Sequence, residues 1–177
     1  MKLALISVAV LLVLASVVLW MLQPTTRPDE GSVAPDFALR DQDGSTRRLR
    51  DYAGRWLVLY FYPRDDTPSC TKEACRFRDD IGIFGDLGAA VVGVSVDGTE
   101  AHTDFARKHR LPFPLLSDPD GRTAAAYGSL LNLGVLRFAR RHTFIIGPDG
   151  RIAARFDRVD PARHAEEVAS RLRALRR

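Results

Sequence analysis

The chain has 177 residues, enough for one domain and an appendage but short of two full domains. Its 46% hydrophobic and 27% charged side chains exclude wholesale disorder, and its two cysteines exclude both a disulfide scaffold and a four-cysteine zinc site. The 23 Arg and 3 Lys outnumber the 22 acids by four, too thin an excess to argue for nucleic acid.

From Leu3 to Leu22 every residue is apolar or small except Ser7 and Ser16. At about 1.5 Å per residue this segment spans roughly 30 Å, the thickness of a bilayer core. No small-x-small cleavage site follows Leu22, and Ser32-Val33-Ala34 lies well past the apolar end. Residues 1–22 therefore read as an uncleaved membrane anchor rather than a cleaved signal peptide. Lys2 favours a cytoplasmic N-terminal end, which places the rest of this single-pass protein outside the cytoplasm, in a periplasmic setting. Residues 23–32, with two Pro, two Thr and a Gly, read as a linker, and 33–177 as the folded domain.

In chain order, Asp36–Leu39 reads as a strand, returned by the turn Asp43-Gly44 through Thr46–Leu49. Trp56–Phe61 is an unbroken apolar run, the mark of a strand buried on both faces. A loop from Pro63 to Ser69 precedes a helical stretch, Thr71–Phe84. Ala89–Val96 reads as a second buried strand, Thr99 as the cap of a helix to about His109, and Phe113–Leu116 as a short strand. Thr123–Tyr127 is a short helix stopped by Gly128. The apolar loop Ser129–Arg140 reads either as a cover over a sheet edge or as a wall of a substrate or partner site. His142–Ile146 and Ile152–Phe156 flank the turn Pro148-Asp149-Gly150 and form a hairpin. Asp160-Pro161 is a cap and first-turn pair, behind which Ala165, Val168, Leu172 and Leu175 share one helical face. The pattern gives an α/β fold with a mixed central sheet flanked by helices.

The chemistry concentrates between Tyr60 and Asp79. Pro63, Thr67 and Cys70 follow a buried strand and open a helix, so Cys70 sits in a first turn, where unpaired N–H groups and the helix dipole favour a thiolate. The dipole supplies up to ~2 kcal/mol, whereas bringing a thiol from about 8.5 to about 6 needs roughly 3.4 kcal/mol. A reactive cysteine here needs a cation as well, and Arg141, at the start of a later strand, is the candidate. Thr67 is placed to aim its hydroxyl at whatever approaches the sulfur. Glu73 reads as a first-turn acid favoured by the dipole, and His102, His109, His142 and His164 read as surface residues.

The run Phe-Tyr-Pro-Arg-Asp-Asp-Thr-Pro-Ser-Cys-Thr-Lys-Glu-Ala-Cys, with Arg141-His142-Thr143-Phe144 and Ala34-Pro35-Asp36-Phe37, resembles the peroxiredoxins, specifically the bacterioferritin comigratory protein (Q-type) branch. The resemblance covers residue 33 to the C-terminus. Ser69 where Gly is frequent, the apolar 129–140 loop and the membrane segment depart from it. It implies a thioredoxin-like fold and a thiol-dependent peroxidase that reduces hydrogen peroxide and organic hydroperoxides. On this reading Cys70 is the peroxidatic thiolate that becomes sulfenic acid, and Cys75 resolves it as a disulfide that thioredoxin or a similar dithiol reopens. Thr67, Arg141 and the Cys70 N–H hold the peroxide, and Pro63 shields the thiolate from water. No cofactor or metal is implied, and a monomer is expected. Two rivals share the thioredoxin-like fold: a membrane-anchored copper metallochaperone, which would want a tighter cysteine spacing and a partner His, and a thiol–disulfide exchanger, which would want a C-x-x-C pair that is absent.

Overall fold

The apolar run Trp56–Phe61 forms the central strand of a mixed sheet, in a computed structural model that describes residues 27–134 and 136–177. The expected membrane span, residues 3–22, lies outside that range; among the described residues no helix is long and apolar enough to cross a membrane. The strands are β1 (Ala38–Asp41), β2 (Thr46–Arg48), β3 (Trp56–Phe61), β4 (Ala89–Ser95), β5 (Leu115–Ser117), β6 (Leu130–Asn132), β7 (Arg137–Ala139), β8 (His142–Ile146) and β9 (Ile152–Phe156). The helices are α1 (Pro68–Asp79), α2 (Ile81–Asp86), α3 (Thr99–His109), α4 (Arg122–Ala126) and α5 (His164–Leu175).

The main sheet has the order β2-β1-β5-β4-β3-β8-β9. Strands β3, β4 and β5 run parallel through helical crossovers, while β8 and β9 add an antiparallel hairpin beside β3. Because side chains alternate along a strand, the sheet splits the core in two. Val58, Tyr60 and Ile145 face one cluster with Phe77 of α1, Phe84 of α2, Phe105 of α3 and Leu172 of α5. Leu57, Leu59, Phe61 and Phe144 face the other, with Phe37 and Tyr127. Gly93 is needed for close approach: a Cβ there would lie 2.8 Å from the Tyr60 hydroxyl and 2.9 Å from Leu115 Cδ2. The space lets the Tyr60 ring stack on Phe77, with centroids 4.8 Å apart.

Several boundaries differ from the sequence reading. Strand β1 begins two residues later and ends on the buried Asp41, whose Oδ1 accepts from the Asp43 and Ser45 amides and whose Oδ2 accepts from Arg47 Nε at 2.7 Å. Helix α1 starts at Pro68, since a proline at the first position lacks only a donor that would have no acceptor anyway. The expected helix Thr71–Phe84 is two helices, divided at Asp80. Gly98, not Thr99, occupies the cap of α3. Asp160 heads a turn instead of capping a helix: its Oδ1 accepts from Ala162 N, its carbonyl from Arg163 N, and α5 begins at His164. The 129–140 loop contains a two-stranded hairpin, β6 with β7, separate from the main sheet. The second half of the expected linker lies along β9: Gly31 N donates to Ile152 O, Ile152 N to Ser32 O, and Arg27 pairs with Asp157 at 3.3 Å.

Candidate active site

Cys70 is the third residue of α1, among the first-turn amides that have no acceptor within the helix. Its side chain is buried. The loop feeding this turn is pinned from below. Tyr62 Oη donates to Asp65 Oδ1 (2.8 Å), His102 Nδ1 lies 2.7 Å from Asp65 Oδ2, and the Asp65 amide donates to Asp97 Oδ2 (2.9 Å). Asp66 takes a left-handed conformation, φ 55°, and its carboxylate receives Lys108 Nζ at 2.9 Å. These contacts fix where α1 begins.

Arg141 comes from the edge of β8, just before the residue that pairs with Phe61. Arg141, Thr143 and Ile145 alternate onto the face of the sheet that α1 covers. The Arg141 guanidinium donates from Nη2 to Cys70 Sγ at 3.2 Å and from Nη1 to Glu73 Oε2. Arg140, the adjacent rival, points into solvent. The cation that a reactive cysteine needs is therefore delivered by the strand, 71 residues away in sequence.

Thr67 precedes Pro68 at the helix cap and donates its hydroxyl proton to Arg64 O at 3.1 Å, leaving its oxygen lone pairs as acceptors. Pro63 is half-buried and lines an open cleft of about 570 Å³ with Arg64, Val96, Pro119, Leu136 and Phe138. The apolar loop does both of the things expected of it in part: Leu130 and Ala139 pack on the sheet, and Leu136 and Phe138 line the cleft beside Asp97 and Arg137. Cys75 is half-buried on α1, five residues beyond Cys70, and both are free thiols.

Two expectations are corrected. Glu73, the sixth residue of α1, lies past the first turn and is wholly buried against Arg141. Burial pushes its carboxyl up to about 7, against the opposing pull of the Arg141 charge. Three residues after Cys70, it falls on the same helix face, the spacing that could have marked it. His102, His142 and His164 are buried rather than exposed, and each meets a side chain remote in sequence: Asp65, Ser129 and Thr143. Periodicity carries no signal for such pairings.

Relatives bear the same arrangement of elements. The AhpC/TSA family model matches residues 31–155. The chain is 41% identical over 149 residues to peroxiredoxin Bcp of Bacillus subtilis, covering 82% of this chain and 95% of that one. It is 40% identical over 149 residues to the chloroplastic peroxiredoxin Q of Populus jackii, covering 83% and 69% respectively. Among solved structures, peroxidoxin BcpB of Mycobacterium tuberculosis superposes with a TM-score of 0.81 at 36% identity, covering 85% of this chain and all 100% of that chain. The chain belongs to the AhpC/TSA family, in the Bcp/PrxQ group of peroxiredoxins, and is a thiol-dependent peroxidase that reduces hydroperoxides with electrons from a thioredoxin-like dithiol.

Proposed function

We propose that Cys70 is the peroxidatic residue and Cys75 the resolving one. The observation that carries this assignment is the Arg141 guanidinium on Cys70 Sγ, at the start of a helix whose dipole favours the same negative charge. The Cys70 thiolate attacks the terminal peroxide oxygen and the O–O bond breaks. The departing alkoxide takes a proton and leaves as an alcohol, or as water from hydrogen peroxide, with Cys70 as sulfenic acid. Arg141 and the Cys70 amide stabilise the charge that develops on the departing oxygen. The Thr67 oxygen accepts from the peroxide O–H, its own proton being engaged with Arg64 O. Pro63 keeps water from the sulfur. Cys75 then displaces hydroxide from the sulfenic sulfur, giving water and the Cys70–Cys75 disulfide, which thioredoxin or a similar dithiol reduces.

The cleft walled by Leu136 and Phe138 takes the organic part of larger hydroperoxides. Residues 3–22 anchor the chain in a membrane, and the domain works as a monomer on the extracytoplasmic side. The 20-residue apolar segment and Lys2 support that placement. A copper carrier would need a further thiolate or imidazole beside the two sulfurs, and Cys70 faces a guanidinium instead.

Rapid mixing of the reduced protein with hydrogen peroxide tests the assignment, with the oxidised sulfur located by mass. Cys70→Ser is expected to abolish peroxide reduction. Cys75→Ser is expected to keep the first oxidation and stop turnover with a dithiol. Near-normal turnover in Cys70→Ser overturns the mechanism.

A further inference from the structure

His164 opens α5 with its ring enclosed in the core, edge-on to Phe77 and Phe156. Its Nε2 lies 2.7 Å from Thr143 Oγ1 and 3.9 Å from Glu73 Oε1, while its Nδ1 has no hydrogen-bond partner. Glu73 Oε1 is likewise buried without a partner, its sister oxygen being held by Arg141. A buried lone pair without a donor is better tolerated than a buried N–H without an acceptor. That places the proton of the neutral ring on Nε2, where it donates to Thr143 Oγ1 and turns its positive edge toward the free carboxylate oxygen. Burial first, then the Arg141 charge, holds the ring neutral, with its pKa down at about 3.

The geometry points to His164 as a positioning residue for the peroxide chemistry: its N–H edge supports the ionised form of Glu73, and so governs how much of the Arg141 charge is committed to Cys70. The inference rests on the proposed role of Cys70 and Arg141. The groups facing Glu73 are few. Arg141, just before β8, holds one carboxylate oxygen, His164 of α5 lies beside the other, and Tyr60 of β3 feels its charge; Cys70 meets it through the shared guanidinium and Thr143 through the His164 ring. Burial, the Glu73 charge and other nearby negative groups raise the Tyr60 pKa well above normal, so this phenol stays protonated while Glu73 titrates. A ring that merely fills space between two phenylalanines would be replaced best by phenylalanine. A ring that presents an N–H would be replaced best by glutamine, whose amide nitrogen reaches about as far as Nε2.

The test is an infrared titration of the protonated Glu73 carboxyl in the full-length reduced protein, the band being identified by its loss in Glu73→Gln. In His164→Phe the midpoint is expected to rise by about one pH unit, a tenfold gain in proton affinity. In His164→Gln it is expected to stay within about 0.3 unit of the unsubstituted protein. Thr143→Val tests the same contact where the phenylalanine variant folds poorly: it removes the competing acceptor of the Nε2 proton and leaves that donor to Glu73, so the midpoint is expected to shift downward. An unmoved midpoint in His164→Phe or in Thr143→Val, or a shift in His164→Gln as large as in His164→Phe, overturns the proposal. Peroxide oxidation of Cys70, located by mass in the same samples, separates the two readings. Absence of any peroxide-driven oxidation of Cys70 in the unsubstituted protein, as sulfenic acid or as the Cys70–Cys75 disulfide, refutes the peroxidatic assignment, whereas its presence with an unmoved Glu73 midpoint refutes only the role of His164.

Discussion

Cys70 and Glu73, one helical turn apart, present a sulfur and a carboxylate to the two ends of a single guanidinium. One cation then serves two groups, so the protonation state of Glu73 decides how much of the Arg141 charge is left to the sulfur. With the Glu73 carboxyl at about 7, acidifying below neutrality protonates it and leaves the Arg141 charge to the sulfur. Raising the pH ionises Glu73, which then competes for that charge. Cys70 alkylation is therefore expected to show an inflection near pH 7 that belongs to Glu73. Glu73→Gln is expected to remove that inflection. Rates of iodoacetamide modification across pH 5 to 9, a span of roughly two units either side of the carboxyl, decide it.

Arg141 is expected to matter for both reactivity and folding, and Arg140 for neither. Arg141→Ala removes the donor at Sγ and strands Glu73 in the core. Breaking one partner of a buried pair costs about 3–5 kcal/mol, relieved in part here because Glu73 can take up a proton. Alkylation at neutral pH should slow by about tenfold or more, the effect of losing ~1.4 kcal/mol of charge stabilisation at the sulfur. Arg140→Ala, at an exposed side chain, should change neither by more than about twofold. Equal effects from the two variants would move the assignment away from Arg141.

Acid stability carries a separate signature of the buried pair. His164 titrates at about 3 in the folded protein against 6.5 unfolded, so the unfolded chain binds the extra proton. Its contribution is complete above pH 6.5 and is lost as the pH falls toward 3, by roughly 5 kcal/mol in all. Glu73, raised from 4.5 to about 7, acts in the opposite sense. Its contribution is complete below 4.5 and is lost as the pH rises through 7, by roughly 3 kcal/mol. His164→Gln should therefore flatten the decline of thermal stability between neutral and acid pH, and Glu73→Gln should steepen it. Melting curves by circular dichroism at a series of pH values provide the comparison.

Much of this arrangement is legible in the sequence where burial is continuous. Trp56–Phe61 is apolar at every position because both faces of β3 are covered, and its limits are those expected. Pro63, Thr67, Cys70 and Arg141 likewise stand out through motif spacing. Edges are harder. Asp41 lies beyond the expected strand end at Leu39, yet it is the buried last residue of β1 and the hub of the β1–β2 turn because Arg47 and two amides satisfy it. The β6–β7 hairpin hides because its strands are three residues long and its flanking Leu133 and Leu136 are exposed, so no alternation develops. The burial of Glu73 and His164 escapes the sequence for another reason. It depends on Arg141 and Thr143, just before and within β8, 68 and 21 residues away.

The last expectation concerns the change of fold that disulfide formation demands. Cys70 and Cys75 lie within one uninterrupted helix, α1. Five residues at about 1.5 Å each and 100° per residue, on a cylinder of roughly 2.3 Å radius, place their Cα atoms ~8.7 Å apart. A disulfide tolerates about 7 Å at most, so the helix as it stands cannot close the bond. The first two turns of α1 must open, and opening them also withdraws Glu73 from Arg141. The far end resists, because Phe77 is fully buried and stacks on Tyr60 and against Phe84. Oxidation is therefore expected to strip hydrogen-exchange protection from the amides of Thr71 to Cys75 while β3 keeps its own. Mass must first establish that the Cys70–Cys75 bond has formed. Unchanged protection in such a sample would mean that Cys75 leaves the regular helix even in the reduced protein, and the geometric argument would fail.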